Sequence, residues 1–211
     1  MTTYSAADVI AAERTALVGT LNEAGPAAPT LCEGWQTRHL LAHLILRETQ
    51  PLVAAGVMGG PLGKRTERLT NEYAQQLDDP ASYRLAVQKF ADLPGYGGMR
   101  KRWPVADAAM NTLEYLVHTE DVRRATGDLS PQEVPAETQQ KIWDDVRSRG
   151  RLLAGKSYPE GLVLEAPGYS PSTATIQGPK PGKVATVLSG QPAELVLYLF
   201  GRQDVAQVKK I

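Results

Sequence analysis

The chain has 211 residues, and its 23 basic and 23 acidic side chains cancel to a formal charge of zero, with a pI near 6.8. That balance argues against a protein built to hold a nucleic-acid backbone, since such domains carry a clustered basic excess. A single cysteine, Cys32, allows no internal disulfide and fits a reducing compartment. No run approaches the ~20 apolar residues of a membrane span. The expectation is a cytoplasmic protein with neither nucleic acid nor membrane as partner.

Up to about Gly155 the apolar residues recur at helical spacing; beyond it, short β-prone runs alternate with Gly and Pro. The pattern predicts a mainly α protein with an α+β appendage: a helical bundle over residues 1–155 and a small mixed unit over 156–211. The first helix is expected from about Ser5 to Asn22, with Val9, Ile10, Leu17 and Leu21 on one side. After "EAGPAAPTLCEGW", a second should begin near Thr37, read as its N-cap, and carry "RHLLAHLILRE" up to Pro51. "GVMGGPLGK" reads as a loop, and a third helix covers parts of Lys64 to Leu77. The fourth lies in "DDPASYRLAVQKFADL", with Asp79 capping it and Pro80 in its first turn. "PGYGGMRKRWP" is a break whose basic "MRKRW" reads as a solvated loop, leaving a nucleic-acid-binding helix-turn-helix a distant reading.

The fifth helix should start near Asp107, a candidate N-cap, and end at Thr126 with Gly127 behind it. A last bundle helix follows "SPQEVP", from Ala136 to Leu153. In the appendage "EGLVLEAP", "STATIQG" and "KVATVLSG" read as strands, "QPAELVLYLFGR" as an apolar helix closed by Gly201, and "DVAQVKKI" as a final strand.

The chain holds three histidines. His39 and His43 lie four apart in "RHLLAHL", and Glu114 and His118 lie four apart in "NTLEYLVHTEDVRRATGD". Residues four apart share a helix face. Glu114 and His118 are surrounded by Leu113, Leu116, Val117 and Val122, so they either form an exposed pair on a solvated face or project into the bundle. There a carboxylate needs a partner such as a divalent ion. His43 sits in the apolar "LLAHLIL", where a buried imidazole needs a partner, whereas His39 in the first turn reads equally well as exposed. Asp121 could accept the second N–H of an imidazole, or with Glu120 pair with Arg123 and Arg124. Gly34 and Trp35 read as structural, and Cys32 as a packed, inert thiol.

"LCEGWQTRHLLAHLILRE" resembles the Gly-Trp-x-x-Arg-x-x-x-x-His-Leu signature of the DinB-like metal-binding superfamily, in the branch containing mycothiol-dependent maleylpyruvate isomerase. "LEYLVHTEDVRRATG" is similar to that branch's Glu-x-x-x-His, Asp-x-Arg-Arg signature, and "SGQPAELVLYLFGR" to its closing segment. The resemblance implies a DinB-like four-helix bundle followed by a reduced sterol-carrier-like unit. It also implies a metal triad of His43, Glu114 and His118, with zinc the first choice among divalent ions. Arg202 becomes a candidate anchor for an anionic substrate or thiol cofactor, with the blander alternative of an arginine meeting the last carbonyls of its helix. His39 stands where the branch carries an acidic residue. It is an extra candidate ligand, a partner of a ligand, or exposed.

The implied chemistry is a transferase or isomerase in which the metal activates a low-molecular-weight thiol, mycothiol, against a small electrophile. No protein nucleophile is then required, in keeping with the lack of a Gly-x-Ser-x-Gly elbow or a Walker-type loop. The alternative is a metal-binding sensor, ligand carrier or structural partner without turnover. Bundles of the superfamily often dimerise, so a homodimer is open.

Overall fold

The computed structural model describes residues 6–50, 53, 61–93 and 104–211. Among them are seven helices and four short strands, so the chain is mainly α with a small mixed sheet near its C-terminus, as expected. Two compact units emerge, Ala7–Asp128 and Leu129–Ile211. None of the helices is long and apolar enough to cross a membrane.

The first unit holds α1 (Ala6–Ala24), α2 (Thr37–Thr49), α3 (Pro61–Gln75), α4 (Pro80–Asp92) and α5 (Pro104–Ala125). The middle of α2, Leu40 to Leu46, is apolar apart from His43, and the helix is correspondingly central: Leu40 to Glu48 are buried without a gap. It packs against α3 and α4. Leu17 and Leu21 of α1, Leu40, Leu44 and Ile45 of α2, Tyr83, Val87 and Phe90 of α4, and Tyr115 of α5 form one core.

Helix boundaries follow local chemistry. Asp79 caps α4 as expected, its Oδ2 accepting from Ala81 N at 3.1 Å and Ser82 N at 2.8 Å. Gly127, at φ 95°, follows the end of α5. Thr37 is not the N-cap of α2: Gln36 is, and Thr37 is the first helical residue. The hydroxyl of Thr37 donates instead to Gly25 O, and its N–H to Ala28 O at 3.0 Å, tying the helix start to the preceding loop. Likewise α5 begins at Pro104 rather than Asp107, because a proline in the first turn gives up no helical hydrogen bond. Helix α3 starts at Pro61, inside a stretch read as loop. Residues 56–60 and 94–103, which include "MRKRW", lie outside the described residues.

One buried cluster ties four helices together. Arg14 of α1 sends Nη1 to Phe90 O at 2.6 Å and Leu93 O at 2.9 Å, at the end of α4. Its Nη2 meets both carboxylate oxygens of Glu48 of α2 at 2.7 Å. Tyr115 of α5 donates its hydroxyl to Glu48 Oε1 at 2.5 Å.

The second unit carries α6 (Ala136–Ala154), β1 (Leu162–Glu165), β2 (Thr173–Gln177), β3 (Thr186–Ser189), α7 (Pro192–Leu199) and β4 (Lys209–Lys210). Strand order is β2-β1-β3-β4, with β1 antiparallel to β2 and parallel to β3. The sequence changes character near Gly155, yet α6 groups with the sheet rather than with the preceding helices. The contacts show why: Trp143 Nε1 donates to Pro171 O at 2.6 Å, Gln139 Oε1 accepts from Ala193 N at 3.1 Å, and Gly150 leaves room for Ile176 of β2, whose Cδ1 lies 2.6 Å from where a Cβ would stand.

Glu13 of α1 is buried, and its Oε2 has no hydrogen-bond partner. Burial, reinforced by the negative Glu120, pushes its pKa up to about 7. The folded chain therefore binds a proton more tightly than the unfolded one. Its contribution to stability is present below the unfolded value near 4.5 and is lost as pH rises through about 7. Denaturant unfolding between pH 5 and 8 is expected to show stability falling with pH by roughly 1–3 kcal/mol. Glu13→Gln should flatten that slope and raise stability at pH 8.

Candidate metal centre

Two helices and one loop build the site within the first unit. Helix α2 supplies His43 and Arg47, and α5 supplies Asn111, Glu114, His118 and Asp121. The loop before α2 turns through Gly34 at φ 75°, pairs Pro29 with Gln36, and docks on α5 where Leu31 N–H donates to Asp121 O at 2.9 Å. This brings Cys32 and Trp35 to the same place.

On α5 every residue from Asn111 to Val122 is buried, polar ones included. Of the two readings that spacing left open, a solvated pair and a pair projecting into protein, the structure has the second: Glu114 and His118 are 8% and 9% exposed. His43 comes in from α2 with its ring centroid 5.9 Å from that of His118, nearly edge-on, and 5.3 Å from that of Trp35. His118 Nε2 lies 3.6 Å from Glu114 Oε2. One donor atom from each of His43, Glu114 and His118 falls within 4.8 Å of the others. Bonds of about 2.0–2.2 Å to a shared ion bridge such spacings with small side-chain adjustments.

The protonation states of His43 and Glu114 suit a cation, and His118 would have to give up a proton to join them. Burial, helped by the positive charge of His118, drives the pKa of His43 down to about 3, so His43 is neutral and keeps a lone pair. Its buried Nδ1 has no hydrogen-bond partner. Burial alone would raise Glu114, but the hydrogen bond from His118 and the charge of Arg47 outweigh it and bring its pKa to about 2. Burial also opposes charge on His118; the acceptors Asp121, Cys32 and Glu114 prevail, and its pKa lies well above the usual histidine value. Without an ion, that proton balances the carboxylates. Two imidazoles, an ionised carboxylate and an orphaned buried nitrogen fit a divalent ion of borderline softness.

Asp121 makes the contact with an imidazole that the sequence left open: its Oδ2 lies 2.9 Å from His118 Nδ1. Glu120 pairs with Arg123 and Arg124. His39 stands outside the cluster, its Nδ1 accepting the backbone N–H of Gln36 at 3.2 Å to close the start of α2. Arg202 lies in the second unit, where Nη1 donates to Phe200 O at 2.6 Å just past the end of α7.

Two residues gain significance only in the fold. The Cys32 thiol, read as inert, donates to Asp121 Oδ2 at 3.3 Å, and Cys32, His118 and Asp121 form a second group of donor atoms within 4.8 Å of one another. Arg47 places Nε 3.5 Å from Glu114 Oε2 and donates from Nη1 to Asn111 Oδ1 at 3.1 Å. Its spacing of four from His43, matching that of Glu114 and His118, was the available signal.

In the metal-free protein, histidine NMR titration should show His118 protonating well above the ordinary range and His43 neutral throughout the neutral region. In Asp121→Asn the His118 pKa should fall, since an amide replaces the principal acceptor that holds its proton.

No curated protein and no solved structure matches the chain. Residues 7–89, from α1 through most of α4 and including His43 and Arg47, match the model of the mycothiol maleylpyruvate isomerase N-terminal domain family, the branch that the motifs resemble.

Proposed function

We propose that the chain is a divalent-metal-binding protein, zinc first among the candidates, that works with mycothiol as co-substrate in an S-transferase or isomerase reaction on a small electrophile. The observation that carries this reading is the convergence of His43 from one helix with Glu114 and His118 from another. The family match over residues 7–89, whose description names mycothiol, supports the choice of thiol. When bound, a divalent ion lowers the pKa of a thiol it coordinates and so makes a thiolate nucleophile available near neutral pH.

The chain's own residues have distinct parts in this reading. His43 and His118 would hold the ion as neutral imidazoles and Glu114 as an anion, leaving further coordination positions for water or thiol. Asp121, accepting from Nδ1, fixes the ring of His118 so that Nε2 is the nitrogen turned toward Glu114. Burial of all three keeps bulk water from competing for the ligands.

A second reading, a metal-binding protein without turnover, draws on the Cys32/His118/Asp121 group, which could add protein donors and close the site.

Elemental analysis of tag-free protein should find about one equivalent of metal, lost in His43→Ala, Glu114→Ala and His118→Ala. Turnover of electrophiles that rises with added mycothiol would then select the first reading over the second. A parent protein that neither holds metal nor can be reconstituted would overturn both.

A further inference from the structure

We infer that the chain has a second metal position beside the first: Cys32, Asp121 and the Nδ1 side of His118 form a site for a thiophilic divalent ion of the class of Zn2+ and Cd2+. The position uses no atom of His43 or Glu114, so it stands whether or not those residues hold an ion of their own.

Three kinds of donor meet here from two elements. The loop between α1 and α2 brings the Cys32 thiol, and α5 brings the imidazole of His118 and the carboxylate of Asp121. One donor atom from each lies within 4.8 Å of the others. Cys32 Sγ is 3.3 Å from Asp121 Oδ2, and the same oxygen is 2.9 Å from His118 Nδ1. Tetrahedral bonds of about 2.0–2.3 Å set donors roughly 3.3–3.8 Å apart, so side-chain adjustment alone would seat an ion.

Asp121 Oδ2 is the point on which the thiol and the imidazole converge. An ion bound by Sγ, Nδ1 and Oδ2 would take the place of the hydrogens between them, since thiols and imidazoles that bind metals release their protons. Thiolate and imidazole together select ions of zinc's softness over Mg2+ and Ca2+, which prefer oxygen donors.

The fold anchors this trio. Asp121 is fully buried and His118 nearly so, while Cys32 is half-buried. Leu31 N–H holds the loop to Asp121 O, and Trp35 N–H and Thr30 Oγ1 both donate to Cys32 O, at 2.9 and 3.3 Å. The two nitrogens of His118 point in different directions, Nε2 toward Glu114 and Nδ1 toward Asp121. The two metal positions therefore meet in one ring without competing for one nitrogen.

Cys32 is the only cysteine of the chain, so a thiolate-to-metal absorption band reports this position alone. The test is titration of metal-free, reduced protein with Cd2+, followed in the ultraviolet. The parent should develop the band and Cys32→Ser should not. His43→Ala and Glu114→Gln, which remove donors from the first position only, should keep the band with an affinity within about threefold of the parent's, whereas Asp121→Asn and His118→Ala should weaken it about tenfold or more. If circular dichroism shows that His118→Ala does not fold, Asp121→Asn, which keeps the size of the side chain, carries the comparison. A parent without the band overturns the inference. A band that Asp121→Asn and His118→Ala leave unchanged marks a thiol taking up Cd2+ adventitiously, and overturns it as well. A band lost in His43→Ala or Glu114→Gln assigns Cys32 to the first ion and overturns the separate position, while supporting the metal-binding reading above. A band that persists in a protein with no metal at His43 and Glu114 would overturn that reading and leave this inference standing.

Discussion

The pairing of Arg14 with Glu48 and Tyr115 is the constraint on which the rest of the first unit depends. Buried ion pairs add little net stability, because desolvation offsets much of their attraction, but they tolerate few alternative arrangements. Glu48 follows Arg47 directly, and Tyr115 follows Glu114. Once Glu48 is fixed against Tyr115, Arg47 is carried to Glu114, and one turn back along α2, about 6 Å away, His43 is carried to His118 one turn forward along α5. The contacts therefore run in opposite directions on the two helices, as an antiparallel pair demands. A slip of one residue on either helix would separate all three contacts at once.

Two buried carboxylates in this unit show how differently the fold treats the same group. Glu13 meets only burial and another anion, and becomes a weak acid with an orphaned oxygen. Glu114 is as deeply buried but is flanked by Arg47 and His118, and becomes a strong acid. Burial alone therefore does not decide ionisation; the charges that neighbouring helices bring do. The environment of Glu114 sustains an anion without bulk water, which is what a cation ligand requires.

Much of this was legible in the sequence, and the exceptions have a common cause. The spacing of Glu114 and His118, the cap at Asp79, the stop at Gly127 and the strand runs are local features, set by residues within a few positions of each other. The joining of His43 to that pair came from the resemblance of the motifs, since spacing within one helix cannot say which other helix faces it. What stayed hidden depended on distant partners. Cys32 reaches Asp121 only because the loop docks on α5, and Arg47 reaches Glu114 only through the pairing of α2 with α5. His39 needed the entry geometry of α2 to be recognised as closing the helix start. The grouping of α6 with the sheet rests on Trp143 and Gly150, whose partners lie more than 20 residues away.

The geometry of one imidazole bears on whether the centre is open or closed. His118 turns Nε2 toward Glu114 and Nδ1 toward Asp121. The two ring nitrogens direct their lone pairs or protons away from one another, so a single ion cannot use both. An ion held by His118 through Nε2 would therefore share no ring nitrogen with Asp121, which meets the ring at Nδ1. Asp121 Oδ2 already receives both the imidazole and the Cys32 thiol. That arrangement is the one expected of a group that orients a ligand. Among the described residues, three protein donors then converge on the Nε2 side, fewer than the four of a closed structural zinc site.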